Sequence, residues 1–276
     1  MGCARCACAR CAGPVISPPR GLRRAGPRLD ATRVCLALVL FAAPAQAGFE
    51  QPVDGTRYPT AGLLEHREYR FQARIAPESS LLLGARVGLK DRVQAGVFYG
   101  AEHLVDRNDL AAHPHAGFEV RVRILAESSR PAVVLGFSSQ GWGEYDGGLE
   151  RYQRKSPGFY AVASKNWRSF LGDLSLHGGV SYSLETGDDD EAPDAFASAD
   201  WTIAGHVSLL CDVDAAWNDD QRDGRYGEGG AYVDAGLRAT LGNRLSLMLV
   251  FSDLTGNLAG EEHPARELEI AFTDWF

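Results

Sequence analysis

Hydrophobic and polar residues alternate with a period of two along most of the chain after residue 66. Residues 69–75, for example, read YRFQARI. Successive side chains of a β-strand point to opposite faces, so this period predicts strands with one apolar face. Twelve such segments can be recognised, and no segment of comparable length has a helical period. They are approximately 67–76, 81–89, 92–101, 115–125, 132–140, 157–168, 174–184, 194–203, 206–217, 231–241, 244–253 and 265–276.

The connections between these segments alternate in length. The minimal turns 90–91, 204–205 and 242–243 follow even-numbered segments. Odd-numbered segments are followed by the long connections 102–113, 141–156, 185–193, 218–230 and 254–264, with residues 77–80 as a short exception. Transmembrane β-barrels have short periplasmic turns and longer outer loops. The pattern therefore predicts an all-β protein, a closed antiparallel transmembrane β-barrel of about 12 strands over residues 67–276.

The last predicted strand indicates which membrane the barrel spans. Residues 265–276, ARELEIAFTDWF, carry Leu268, Ile270, Phe272 and Phe276 on one face. An amphipathic strand that ends in phenylalanine resembles the C-terminal insertion signal of bacterial outer-membrane β-barrels. The resemblance implies the outer membrane of a Gram-negative bacterium, the barrel-assembly machinery as a partner, and contact with membrane lipid and lipopolysaccharide. Alternation alone leaves a soluble β-sandwich open as an alternative.

The start of the chain has the features of a secretory signal peptide. Residues 1–33 hold seven arginines and one acidic residue, and the apolar run VCLALVLFAAPAQA follows. This run is shorter than the ~20 residues that a transmembrane helix needs, and it closes on Ala-Gln-Ala, a typical cleavage site. We predict a signal peptide over residues 1–47, with an N-terminal extension of doubtful translation start. Residues 48–66 are then expected to form a short periplasmic segment.

Removing this leader changes both charge and cysteine content. The whole chain has a formal net charge of −8, but residues 48–276 alone come to about −14. Such an acidic chain is a poor ligand for nucleic acid. Five of the six cysteines lie before residue 48, which leaves Cys211. The acidic loop around Asp219 lacks the closing glutamate of a calcium-binding loop. We therefore expect no nucleic acid, no metal ion and no cofactor.

The polar faces of the strands are expected to line the barrel interior. At 12 strands the lumen is intermediate between filled and open barrels, so opposite charges inside it could line a pore or plug it with ion pairs. The predicted lumen-lining residues are Arg70, Arg74, Arg86, Glu119, Arg121, Arg123, Asp212, Asp214, Asp234 and Arg238.

Catalysis is a minority hypothesis. Ser175 and His177 lie two residues apart on the same face of a predicted strand, as a nucleophile and a base could. The chain contains no GxSxG or HExxH motif, so the pair has no support from a known catalytic signature. The protein is therefore expected not to be an enzyme, with an outer-membrane hydrolase acting on lipid or glycan as the alternative.

Several segments are similar to the barrel region of YjbH-type proteins, a family of outer-membrane proteins tied to exopolysaccharide production or export. They are TAGLLEHREYRF (60–71), GLKDRVQAGVFYGAEHL (88–104), FSSQGWGEYDGGLERY (137–152) and RYQRKSPGFYAVASKNW (151–167). The resemblance implies a non-catalytic, porin-like pore or scaffold linked to exopolysaccharide, with polysaccharide as a possible partner. A purely structural envelope barrel is the remaining alternative.

Overall fold

The structure is a computed structural model, and it describes residues 52–77, 79–104, 110–220, 226–242, 244–259 and 263–276. The predicted signal peptide, residues 1–47, lies outside the described residues. Within these ranges the protein is all β, and no helix there has the length and apolarity to cross a membrane.

The described residues contain fifteen strands in chain order. They are β1 (Glu68–Ala76), β2 (Ser80–Leu89), β3 (Val93–Glu102), β4 (Ala111–Ala112), β5 (Gly117–Leu125), β6 (Ala132–Ser138), β7 (Trp142–Asp146), β8 (Arg151–Arg154), β9 (Gly158–Ser169), β10 (Gly172–Tyr182), β11 (Asp194–Ile203), β12 (Val207–Asp214), β13 (Tyr232–Leu241), β14 (Leu245–Ser252) and β15 (Ala265–Trp275).

Twelve of these strands form a closed antiparallel barrel. Each pairs with its neighbours along the chain, β3 pairs with β5, and β6 pairs with β9. The barrel closes where β1 meets β15, with Phe71 opposite Phe272. Closure gives every strand two hydrogen-bonded neighbours, which a sheet needs inside lipid, where no water can satisfy an open edge. The predicted fold class is confirmed, and each predicted strand corresponds to one barrel strand.

The two faces of the barrel wall differ as a membrane requires. Phe71 is 57% exposed and Ile75 50% exposed on the outside, whereas Arg74 between them is 3% exposed. The same alternation runs along β15, where Leu268 and Ile270 point outward and Glu267 and Glu269 are buried inside. An apolar outer belt around a polar, charged interior is the architecture of outer-membrane barrels. The protein is an outer-membrane β-barrel of a Gram-negative bacterium.

Short turns lie at one end of the barrel, which is the periplasmic end by this architecture. Lys90 and Asp91, in the three-residue connection between β2 and β3, have positive φ angles of 53° and 55°. Ala204 and Gly205, between β11 and β12, have φ angles of 52° and 73°. Two successive positive φ angles match the twist of tightly paired strands, which explains how connections of three residues suffice. The long loops lie at the opposite, outer end.

Two features depart from the sequence-based expectations. The predicted loops 102–113 and 141–156 contain β4 and the β7–β8 pair, so the second loop is itself a hairpin. Residues 48–66 were expected to form a periplasmic segment, yet Thr56 and residues 58–64 are buried inside the barrel. Tyr58, Ala61 and Leu63 pack there against apolar residues of β6, β9 and β11. The interior thus has room for a segment that strand periodicity could not place.

Candidate functional site: the lumen and its two hairpins

Residues 52–64, here called the N-terminal hairpin, enter the lumen from the periplasmic end and turn back. Asp54 and Pro59 form an isolated antiparallel bridge, and the Gly55 amide donates to the Tyr58 carbonyl at 3.0 Å. Its two ends, at Pro52 and Leu64, line the same recess at the short-turn end. The tip of the hairpin, residues 55–58, therefore points toward the outer end.

The tip is held by one carboxylate of the wall. Asp212 Oδ2 on β12 accepts hydrogen bonds from the backbone amides of Thr56 at 2.8 Å, Arg57 at 2.9 Å and Tyr58 at 3.2 Å. A Cβ atom on Gly55 would lie 2.6 Å from Asp212 Oδ1. Only glycine lets the backbone come this close, so the carboxylate and the turn are matched in shape as well as in charge.

Arginines of the wall bind the hairpin backbone as well. Three of them donate to its carbonyl oxygens at 2.7 Å: Arg74 to Thr56, Arg121 to Val53 and Arg238 to Asp54. A guanidinium donor makes a stronger hydrogen bond than a neutral one because it carries charge. Together with Asp212, these residues bind donors and acceptors of the hairpin main chain from three sides.

Side chains of the hairpin complete ion pairs of the wall. Asp54 lies 2.5 Å from Arg121 and 2.8 Å from Arg86. Burial acts to raise the pKa of Asp54, but the neighbouring Arg121 and Arg86 outweigh it and hold that pKa below its ordinary value. Arg57 pairs with Glu267 and lies 3.4 Å from Asp234. Both charged side chains of the hairpin therefore have an opposite charge nearby.

The second insertion, residues 142–154 with β7 and β8, is here called the outer hairpin, and it lies beside a recess at the long-loop end of the lumen. Arg154 Nη1 lies 3.0 Å from Asp234, and its guanidinium stacks over Tyr232 at 4.2 Å. The ring of Trp142 is contacted by the guanidinium groups of Arg57 at 4.8 Å and Arg74 at 4.5 Å. Because Arg57 belongs to the N-terminal hairpin, the two hairpins meet at Trp142.

The base of the outer hairpin is fixed to neighbouring loops. Arg151 lies 3.0 Å from Asp219, and both Arg151 and Lys155 pair with Asp188. Burial acts to raise the pKa of Asp188, and the Lys155 and Arg151 cations lower it further than burial raises it. The net shift is downward. Burial raises the pKa of Glu185, which accepts the backbone amides of Tyr152 and Ser156.

The hairpins divide the lumen into separate recesses. A recess of about 500 Å³ opens at the periplasmic end, with Arg70, Arg123 and Arg238 in its lining. A smaller one of about 70 Å³ lies at the outer end beside Trp142. Between them, a recess of about 30 Å³ is lined by Asp54, Arg57, Trp142 and wall residues. The N-terminal hairpin thus stands between the two ends of the lumen.

All ten residues predicted from the sequence to line the lumen lie on inward-facing positions of the strands. Seven of them contact the N-terminal hairpin: Arg74, Arg86, Arg121, Asp212, Asp214, Asp234 and Arg238. Glu119 pairs with Arg86 and Arg121, and Arg70 pairs with Glu269 at 3.2 Å. Arg123 is half-buried near the periplasmic rim and donates to the Asp91 carbonyl at 3.1 Å.

Other lumen residues were not in the predicted set. Glu267 and Glu269 pair with Arg74, and Gln94 donates to Glu119 at 2.8 Å. Their inward direction follows from the same period of two, so the sequence carried a signal for them. Arg57 and Trp142 lie outside the twelve barrel strands, and no periodic signal marks them.

The predicted insertion signal lies on the lipid side of β15. Leu268 and Ile270 are each 40% exposed and Phe272 is 38% exposed, all facing outward. Phe276 follows the strand and is 62% exposed, with its ring centroid 6.2 Å from that of Tyr69. An aromatic terminus at the periplasmic rim is consistent with the expected role, which remains a prediction.

Ser175 and His177, the minority catalytic candidates, are both buried on the inward face of β10. His177 Nδ1 is 2.7 Å from Ser164 Oγ on β9, and Ser175 lies opposite Asn166 in the register. Ser164 also accepts the Ala61 amide of the N-terminal hairpin at 2.8 Å. The histidine is therefore bound to a serine other than the predicted one, beneath the hairpin.

No protein-family model matches the chain, and no curated protein matches it. Among solved structures, the KdgM porin is similar with a TM-score of 0.44 at 9% identity, covering 76% of this chain and 99% of that one. The NanC porin has a TM-score of 0.42 at 10% identity, with 75% and 99% covered. Omp33, an outer-membrane protein of Acinetobacter baumannii, has a TM-score of 0.42 at 7% identity, with 77% and 99% covered.

These findings correct the family resemblance. The similar structures are small outer-membrane porins and related outer-membrane proteins, and no family model supports a YjbH-type assignment. The assignment to YjbH-type proteins is therefore wrong. It rested on segments of alternating apolar and polar residues, which any barrel of this class contains because its strands have one lipid-facing and one lumen-facing side.

Proposed function

We propose that the protein is a non-catalytic outer-membrane channel for small polar solutes, closed in the described state by its N-terminal hairpin. The observation behind this proposal is that recesses with charged residues in their lining lie at the two ends of the lumen and are separated by a segment outside the barrel wall. The wall closes without this segment, since β1 pairs directly with β15.

The chemistry of the lumen supports a polar solute. The wall residues of the interior include arginines, carboxylates, glutamines and serines, and the apolar clusters inside it are small. Charged groups that face one another across a water-filled lumen hold ions and hydrogen-bonding molecules better than apolar ones. Because the lumen carries charges of both signs, it favours small polar solutes over ions of one charge sign.

A hydrolase has less support. The serine bonded to His177 is 1% exposed and lies beneath Ala61, so a substrate has no direct access to it. In the described residues, no cluster of three or more histidine, cysteine or acidic side chains is placed to hold a metal ion. The link to exopolysaccharide depended on the YjbH-type resemblance, which the comparisons overturn.

Contacts with lipid, lipopolysaccharide and the barrel-assembly machinery are also part of the proposal. The apolar belt and the outward face of β15 support insertion by the barrel-assembly machinery into lipid and lipopolysaccharide. The signal peptide predicted over residues 1–47 would direct export to that membrane.

The test is single-channel conductance in planar bilayers, comparing residues 48–276 with the same chain lacking residues 53–62. We expect brief, rare openings from the first protein and a sustained conductance from the second. Neutralising Arg121 and Arg238 with glutamine in the shortened chain should shift its ion selectivity toward cations. A shortened barrel that resists unfolding on a gel yet never conducts would leave a purely structural barrel as the better description.

A further inference from the structure

We propose that the N-terminal hairpin is a displaceable gate that leaves the lumen toward the periplasmic end when its anchor on Asp212 is released. This inference rests on the proposed channel and adds how the channel opens. The contacts of the hairpin, its route into the barrel and its independence from the wall each contribute to it.

The route out is set by the two ends of the hairpin. Pro52 and Val53 at one end, and Leu63 and Leu64 at the other, all border the 500 Å³ periplasmic recess. A segment whose two ends emerge on the same side can be withdrawn without threading a loop through the barrel. No outer loop has to open for the tip to move toward the recess.

The contacts of the hairpin are of a kind that water can replace. Its backbone is bound by Asp212, Arg74, Arg121 and Arg238 through polar groups, not through a continuous strand ladder. Its buried apolar residues Tyr58, Ala61 and Leu63 pack in one cluster with residues of β6, β9 and β11. Polar partners separated by withdrawal would be solvated in the opened lumen, so the net cost is smaller than the number of bonds suggests.

Asp212 is the anchor because it binds three amides at once. The carboxylate is 1% exposed, and its Oδ2 atom accepts from Thr56, Arg57 and Tyr58 at the tip. The matching turn has no room for a side chain at Gly55. Removing the charge with Asp212→Asn keeps the shape and weakens all three bonds, since charge-assisted bonds are about twice as strong as neutral ones.

The first experiment follows the hairpin without using conductance. In a Cys211→Ala background, Thr56→Cys places a thiol at a position that is 1% exposed. A hydrophilic maleimide can modify it only when the hairpin moves. We expect Asp212→Asn to speed the modification about ten-fold, the order expected from weakened charged bonds. Asp194→Asn is the matched control, because this buried carboxylate binds the Ala195 and Trp217 amides instead. Equal rates in the two variants would overturn the inference.

The second experiment locks the gate. A Cβ atom on Gly236 would lie 2.8 Å from Thr56 Cγ2, so Thr56→Cys with Gly236→Cys brings two thiols within disulfide reach. We expect the oxidised protein to conduct at least ten-fold less often than its own reduced form. If the oxidised and the reduced protein conduct equally often, the gate is refuted and the proposed channel stands. Faster thiol modification in a barrel that never conducts would refute the channel and leave the movement of the hairpin established.

Discussion

The two hairpins inside this barrel fill it from opposite ends with opposite chemistry. The N-terminal hairpin is bound mainly through its backbone, by the carboxylate of Asp212 and by wall arginines. The outer hairpin is bound through its own arginine side chains, by wall and loop carboxylates such as Asp234 and Asp219. Backbone binding demands one shape of turn, whereas long arginine side chains tolerate some displacement. The comparison suggests a fitted, removable segment at the periplasmic end and a tethered cover at the outer end.

The largest effect is expected where the two hairpins share an anchor. Asp234 is 1% exposed, accepts from Arg154 at 3.0 Å and lies 3.4 Å from Arg57. Asp234→Ala leaves both buried guanidinium groups short of a partner, which we expect to lower the free energy of unfolding by about 3–5 kcal/mol. Urea unfolding of the barrel in detergent micelles measures it. Asp173→Ala, which breaks a pair with the half-exposed Arg168, should cost less than about 1 kcal/mol.

Adding a methyl group to one glycine of each hairpin tests how tightly the two turns are packed. Gly55→Ala forces a Cβ atom to within 2.6 Å of Asp212, whereas Gly147→Ala in the outer hairpin meets no atom within 4 Å. We expect the first change to destabilise the protein by about 1–3 kcal/mol through overpacking, and the second to have little effect. Both can be measured in the same unfolding assay. Similar values for the two would mean that the N-terminal turn is as loosely held as the outer one.

The contact between the hairpins predicts a coupling energy. The ring of Trp142 lies 4.8 Å from the guanidinium of Arg57, across the junction of the two insertions. A double-mutant cycle with Trp142→Ala and Arg57→Gln should give a coupling of about 0.5–2 kcal/mol, the range of cation–π contacts. The lipid-facing Trp201 serves as the control partner for Arg57, and that cycle should give a coupling near zero. If the Trp142 cycle is also near zero, the hairpins move independently.

The smallest expected effect is the response of the outer hairpin to acid. Asp188 holds Arg151 and Lys155, and its pKa in the folded protein lies below the ordinary 3.8. A lowered pKa means that this carboxylate stabilises the fold above about pH 4, and that the contribution is lost as the pH falls through the lowered value. Protease cleavage in the outer hairpin should therefore increase only below about pH 4. Asp188→Asn should be cleaved readily already at neutral pH and should lack this acid-dependent increase.

Particular residues show how far the sequence could predict this site. The period of two in β15 was enough to place Glu267 and Glu269 inside and Leu268 and Ile270 outside, since side-chain direction along a strand is a local property. The same period does not predict the partner of Glu267, because that partner, Arg57, is 210 positions away in the chain. Their contact depends on how the closed barrel brings β15 around to face the N-terminal hairpin. A similar argument applies to Trp142, whose loop position gave no direction.

The sequence by itself determined the twelve strands, the two faces of the wall and the end at which the long loops lie. Each of these follows from local alternation and from the lengths of connections, which a chain expresses without reference to distant residues. The tertiary structure decided what fills the lumen. Whether Arg121, Asp212 and Arg238 face water or bind a returning segment depends on interior space and on partners brought together only by closure. Buried charges require opposite charges or hydrogen bonds nearby, and in this barrel the N-terminal hairpin provides them.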